Sequence, residues 1–171
     1  NIGGGGRSRV AKLNTINGNV DTLFDPNVNG PVYALSLDVS GDNLYIGGQF
    51  SDIGGQARNN IGKVNTLDGS VDLAFNPNAN QSVYALSCDS ENLYIGGLFT
   101  GIGGQIRNNI AKIDASSGEL LAFNPNANNI VRTLCADGIG NIYAGGHFTN
   151  IGGQSRNRLA KLNAMSGSAD V

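Results

Sequence analysis

Four arginines, Arg7, Arg58, Arg107 and Arg156, each close an Ile-Gly-Gly-x-x-Arg string, and they stand 51, 49 and 49 residues apart. A second recurring set is amidic: Asn27 and Asn29, Asn78 and Asn80, Asn126 and Asn128 lie in Asp/Asn-Pro-Asn-x-Asn stretches at 25–29, 76–80 and 124–128. Guanidinium forks grip carboxylates bidentately, and amides supply both donors and acceptors. A face built from both suits a carboxylated or neutral glycan, or a protein. The candidate ligand-binding residues are therefore Arg7, Arg58, Arg107, Arg156, Asn78, Asn80, Asn126 and Asn128. Packing predicts the same regularity, with each arginine tying its loop to carbonyls of a neighbouring repeat and each asparagine capping a turn.

Other chemistry is thinly represented. Asp38, Asp89 and Asp137 recur, with Asp42 and Glu91 nearby. A calcium ion takes about six to eight oxygens from a dense local set, and these hairpins offer one or two acids each, so they read as turn acids and no metal site is expected. His147 is the sole histidine and replaces Gln49 and Leu98 at its repeat position. It has no nucleophile and orienting acid beside it in sequence, so no catalytic residue is assigned. Gly3-Gly4-Gly5-Gly6-Arg7 lacks the Gly-Lys-Ser/Thr ending of a phosphate loop, and no cofactor is expected. Asn80-Gln81-Ser82 fits the glycosylation pattern, one chance match among 24 asparagines.

Composition narrows the partners. Only 14% of residues are charged, the net charge is −2, and the 11 basic residues form no stripe, which excludes nucleic acid and anionic membranes. No apolar run is long enough for a membrane span. The 26 glycines and 24 asparagines predict many tight turns. Cys88 and Cys135 fall one position apart in equivalent strands and should face opposite ways, so they read as two small buried hydrophobes without a disulfide.

The elements that carry these residues repeat in four short segments. Residues 32–38, 83–89 and 131–137 alternate as strands. Residues 43–50, 92–99 and 141–148 are apolar runs closed by a double glycine and a Phe. A structured Gly-Gly loop leads to a third strand at 60–65, and a fourth, 71–75, ends at the Pro-Asn turn. Glycine pairs inside a strand mark a close backbone approach. Four antiparallel strands every 49 or so residues is the period of a β-propeller blade. The fold class is all-β, a propeller with repeats near 1–30 (partial), 31–80, 81–129 and 130–171 (partial). Loops after the second and fourth strands share one end of a blade, which gathers the Gly-Gly loops and Pro-Asn turns on one rim. Phe50, Phe99, Phe148, Tyr45, Tyr94, Tyr143, Phe24, Phe75 and Phe123 should form the core between blades, at about 1.5–3 kcal/mol each.

The string Asn-Leu-Tyr-Ile-Gly-Gly-x-Phe, then Gly-Gly-x-x-Arg-Asn-x-Ile-Ala-Lys-x-Asn, then Gly-x-x-Asp-x-x-Phe, resembles the delta-60 repeat family across essentially the whole chain. The double glycine is also similar to kelch repeats, whose outer tryptophan is missing here. The delta-60 resemblance implies a bacterial β-propeller, secreted or on the cell surface, with no catalytic motif. Residues 1–22 correspond to 150–171, so three periods overlap by a partial one, fewer blades than the usual ring of about four to eight. Either a longer propeller contributes further blades, which is the reading favoured, or several copies form one ring. The expected function is a non-enzymatic, extracellular binding or adhesion scaffold for glycan or protein. The rivals are self-association through blade edges and a propeller segment of a larger enzyme.

Overall fold

The computed structural model describes residues 6–170; Gly3 to Gly5 of the opening glycine run, and Val171, lie outside the described residues. Three antiparallel sheets follow one another. The first holds β1 (Val32–Leu37), β2 (Asn43–Gly48) and β5 (Ile61–Asn65). The second holds β6 (Val83–Cys88), β7 (Asn92–Gly97) and β10 (Ile110–Asp114). The third holds β11 (Val131–Ala136), β12 (Asn141–Gly146) and β15 (Leu159–Asn163). In each, the middle member of the sequence trio is central in the sheet. The fold is an all-β propeller of antiparallel blades.

The fourth strand of each blade is present but short. It meets the third at single antiparallel bridges, Val64 with Val71, Ile113 with Leu120 and Leu162 with Ala169. In the first blade, Asn65 N donates to Ser70 O at 2.9 Å and Asp72 N to Lys63 O at 2.9 Å. The ladder stops there because the Asp72 carboxylate accepts from Ala74 N at 2.9 Å, bending the chain out of the strand. Leu13 and Val20 form the same bridge near the start of the chain.

Blades pack face to face through the double glycines. A methyl at Gly47 would sit 2.6 Å from Val83 Cγ1 of the next blade, and one at Gly96 would sit 2.7 Å from Val131 Cγ1. The second glycines, Gly48 and Gly97, lie against the carbonyls of Pro31 and Ser82 at the start of their own first strand. The motif thus removes two side chains for two different close approaches. Around these contacts Phe24, Phe50, Phe75, Phe99, Phe123 and Phe148 are all buried, with Tyr45 against Phe75 (centroids 5.5 Å) and Tyr94 edge-on to Phe123 (5.7 Å). The first strands approach one another closely from blade to blade, β1 to β6 to β11, and no comparably close approach joins the third strands. The first strands therefore form the inner edge of an arc.

Two expectations about the core need correction. Tyr143 is 42% exposed where its counterpart Tyr94 is 1% exposed, because no described blade covers its face. Cys135 is exposed and Cys88 only half-buried, both with free thiols. The opposite-face reading fits the register, since Cys88 pairs with Leu93 and the residue after Cys135, Ala136, takes the equivalent place opposite Ile142. Cys135 stands where Ser36 and Ser87 do. Those two hydroxyls accept the amides of Cys88 (3.2 Å) and Ala136 (3.0 Å) from the following blade, a role that lies on a covered face only when another blade is present.

Candidate functional site

The loop rim is assembled from the Gly-Gly strings. After each second strand the chain makes a two-residue hairpin: β3 (Asp52–Ile53) with β4 (Gln56–Ala57), β8 (Gly101–Ile102) with β9 (Gln105–Ile106), and β13 (Asn150–Ile151) with β14 (Gln154–Ser155). The turning pair Gly54 and Gly55 has φ of 58° and 81°, the double positive φ of a type I′ hairpin. Arg58, Arg107 and Arg156 each fold back under the hairpin before them, and Arg7 makes the equivalent bonds. Arg58 donates to Ala57 O at 2.8 Å, Asp72 O at 3.0 Å and Leu73 O at 3.2 Å. Arg107 donates to Ile106 O at 2.8 Å and Leu121 O at 3.3 Å, and Arg7 to Gly6 O at 3.0 Å and Asp21 O at 3.1 Å. Arg156 donates to Ser155 O at 2.8 Å and to Asp170 O. The tie runs to the fourth strand of the arginine's own blade, not to a neighbouring blade. Among the described residues, the side-chain polar atoms buried without a partner are Nε of Arg7, Arg58 and Arg107.

The asparagines join blades. Asn78 Oδ1 accepts from Asn59 Nδ2 at 2.6 Å, in the preceding loop, while Asn80 reaches the following one, accepting from Thr100 N at 3.0 Å and Gly101 N at 3.1 Å. Asn126 accepts from Asn108 Nδ2 at 2.8 Å, and Asn128 accepts from Thr149 N at 2.9 Å and Asn150 N at 3.0 Å. Asn27, Asn78 and Asn126 hold φ between 47° and 58°, a left-handed conformation that asparagine tolerates better than most residues. The Pro-Asn turns at 76–80 and 124–128 are thus each clasped between two successive Gly-Gly loops, on one rim as the strand count implied. Exposed on that rim are Asn78, Asn80, Asn126 and Asn128 themselves, together with Gln56, Gln105, Gln154 and the variable neighbour, Ala57, Ile106 or Ser155.

Several structural ties escaped the reading of the residues. Asn60 and Asn109 donate to Ala79 O at 2.7 Å and Ala127 O at 2.9 Å. Lys63 Nζ donates to Ser116 O at 2.8 Å and Lys112 Nζ to Ala164 O at 2.9 Å, each reaching into the next blade. Their recurrence in Arg-Asn-Asn and in Ile-Gly-Lys or Ile-Ala-Lys was the available signal.

The acids at the opposite ends of the blades are engaged in their own hairpins. Asp38 accepts from Asn43 Nδ2 at 2.7 Å and Asp137 from Asn141 Nδ2 at 2.6 Å. Partial burial would raise the Asp89 carboxyl, but amide donors at Glu91 and Asn92 and the Tyr94 hydroxyl outweigh it and hold it below the ordinary range. Burial pushes the Cys88 thiol up to about 11, so that sulfur stays protonated and unreactive. His147 is exposed. Among the described residues no three His, Cys, Asp or Glu side chains cluster as metal ligands, and no helix is long and apolar enough to cross a membrane.

The model of a β-propeller domain of unknown function, DUF5122, matches residues 1–24, 42–75 and 140–171. Among solved structures the chain is similar to a chain of the Mitotic Checkpoint Complex, at a TM-score of 0.62 and 16% identity, covering 93% of this chain and 43% of that one. It is also similar to Sqt1 of Saccharomyces cerevisiae (TM-score 0.59, 16% identity, 93% and 41% covered) and to the RRP9 WD40 repeats (0.58, 14%, 84% and 38%). At such identities the likeness shows the fold alone, and the chain spans about two-fifths of the length of these propellers. No curated protein matches the sequence significantly.

Proposed function

The chain belongs to the DUF5122 β-propeller family, and from that premise we propose that this β-propeller repeat domain is a non-catalytic binding scaffold that meets a protein or glycan partner on its loop rim. The observation that carries the reading is the clasped rim itself. Arg7, Arg58, Arg107 and Arg156 tie its loops to their own blades and Asn78, Asn80, Asn126 and Asn128 link successive loops, presenting these exposed asparagines with the exposed Gln and variable side chains to the partner. The delta-60 resemblance supports a bacterial protein working outside the cell or on its surface. The test is binding of the folded domain to glycan and peptide arrays, compared with a Gln105→Ala/Ile106→Ser variant of unchanged melting temperature. Loss of a wild-type signal in the variant supports the rim; arrays silent with wild type sink it.

A second reading, self-association through blade faces, is favoured by one pattern. Leu35 is 50% exposed although its counterpart Leu86 is 9% exposed between blades, and Tyr143 is 42% exposed against 1% for Tyr94. Faces of that kind accept another blade of the same repeat. Sedimentation velocity across a concentration series tests it, and a single concentration-independent species rejects it.

A further inference from the structure

Among the places where the blades depart from one another is the point where the inner edge of the arc meets the rim. There the second residue of each first strand is Tyr33, Tyr84 and Arg132, and the residue after each double glycine is Gln49, Leu98 and His147. In every blade the former is the extra residue of a β-bulge. Val32 pairs with Gly48 and Ala34 with Gly47, which leaves Tyr33 unopposed, and the same shift leaves out Tyr84 and Arg132. A bulge re-aims a side chain. Here three bulges aim three side chains into one column across the blades. The Tyr33 and Tyr84 rings lie 5.3 Å apart, tilted by 33°, and the Arg132 guanidinium sits 4.5 Å over the Tyr84 ring. The Tyr33 hydroxyl donates to Gln49 Oε1 at 3.2 Å.

A guanidinium lying on an aromatic face keeps its N–H edges available for a planar acceptor. Arg7, Lys12, Lys63 and Lys161 each have an aspartate within ion-pair range, but among the described residues Arg132 has none. We infer that the Tyr33–Tyr84–Arg132 column is a seat for a carboxylate carried by an acidic segment of a partner protein, with the Arg132 fork gripping the carboxylate. The inference rests on the binding-scaffold reading and names its site and the class of partner. A peptide fits better than a sugar because Tyr84 lies between its neighbours from the preceding and following blades. Its two faces are covered, and of the column's rings Tyr33 alone, 46% exposed, has a face open for sugar stacking. What the column offers instead is N–H and O–H edges beside Leu98, which is 38% exposed and apolar.

The probe is an N-acetylated, amidated tetraglutamate peptide, its affinity measured by calorimetry for wild type and variants alike and, in the isotopically labelled wild-type domain, the Arg132 side-chain N–H resonance followed through the titration. Tetraglutamine, tetralysine and tetragalacturonate serve as parallel arms. Tetraglutamate should shift that resonance saturably, tetraglutamine and tetralysine should not, and Arg132→Gln should weaken binding about tenfold or more at an unchanged melting temperature. Unchanged tetraglutamate affinity in Arg132→Gln, or no shift at all, overturns the seat. Tighter binding of tetragalacturonate through Arg132 overturns the assignment of a protein partner. An array partner that still binds Arg132→Gln but is lost in Gln105→Ala/Ile106→Ser overturns this seat while leaving the rim scaffold intact.

Discussion

Two sets of cationic residues sit near the same rim and are used in opposite ways. Arg58 is 5% exposed and its two terminal nitrogens donate to three backbone carbonyls of its own blade. Arg132 is exposed, leans on one tyrosine and has no acid partner among the described residues. The first recurs in every repeat and the second in one. In a repeat protein, a residue repeated in every unit answers a need that every unit has, namely closing its loop and meeting its neighbour. A residue that departs from the repeat at an exposed, bulged position is free of that need.

The contrast can be broken from its structural side first. Phe99 is fully buried between blades, so Phe99→Ala should cost about 3–5 kcal/mol in chemical denaturation; a loss below about 1 kcal/mol would remove the interblade core from the account. Gly96→Ala drives a methyl to 2.7 Å from Val131 Cγ1 and should cost about 1–3 kcal/mol, whereas Gly104→Ala meets no atom within 4 Å and is strained only through its φ of 74°. Equal losses at the two glycines would show that backbone strain, not blade contact, governs the motif. Arg107→Gln removes a tie to the fourth strand and should cost about 1–3 kcal/mol, read as a lower melting temperature.

The acid side of the blades sharpens the picture by pH. The Asp89 carboxyl is held below its ordinary range in the folded state, so its contribution is present above the unfolded value of about 3.9 and is lost as pH falls through the lower folded value. Asp89→Asn should flatten the melting temperature against pH across that acidic window; an unchanged profile would mean that the hairpin amides do not favour the charged form. Arg132→Gln completes the series with the smallest effect on stability, within about 0.5 kcal/mol as for other surface changes.

How far the sequence carried depends on what kind of fact was sought. Period and glycine pairs reveal the blades, because a double glycine before Phe99 has few meanings other than close approach. The rim was legible as well, since strand parity alone sends the Gly-Gly loops and Pro-Asn turns to one end. The target of the arginine fork was not. Its donors go to main-chain carbonyls such as Asp72 O and Leu73 O, and every residue has a carbonyl, so no residue type announces the bond. Tyr143 and Cys135 were misjudged for a related reason: their repeats are buried by a following blade, and burial belongs to the neighbour, not to the residue. The bulge column stayed hidden because residues 32–38 and 83–89 read as regular alternating strands until the register showed Tyr33 and Tyr84 unopposed.

One paired measurement separates the two sets: melting temperature and tetraglutamate affinity, determined together for Arg107→Gln and Arg132→Gln. The expected result is a lower melting temperature with retained affinity for Arg107→Gln, and an unchanged melting temperature with affinity reduced about tenfold or more for Arg132→Gln. A destabilised Arg132→Gln with unchanged affinity, or a stable Arg107→Gln that no longer binds, would contradict the division between residues that build the rim and residues that use it.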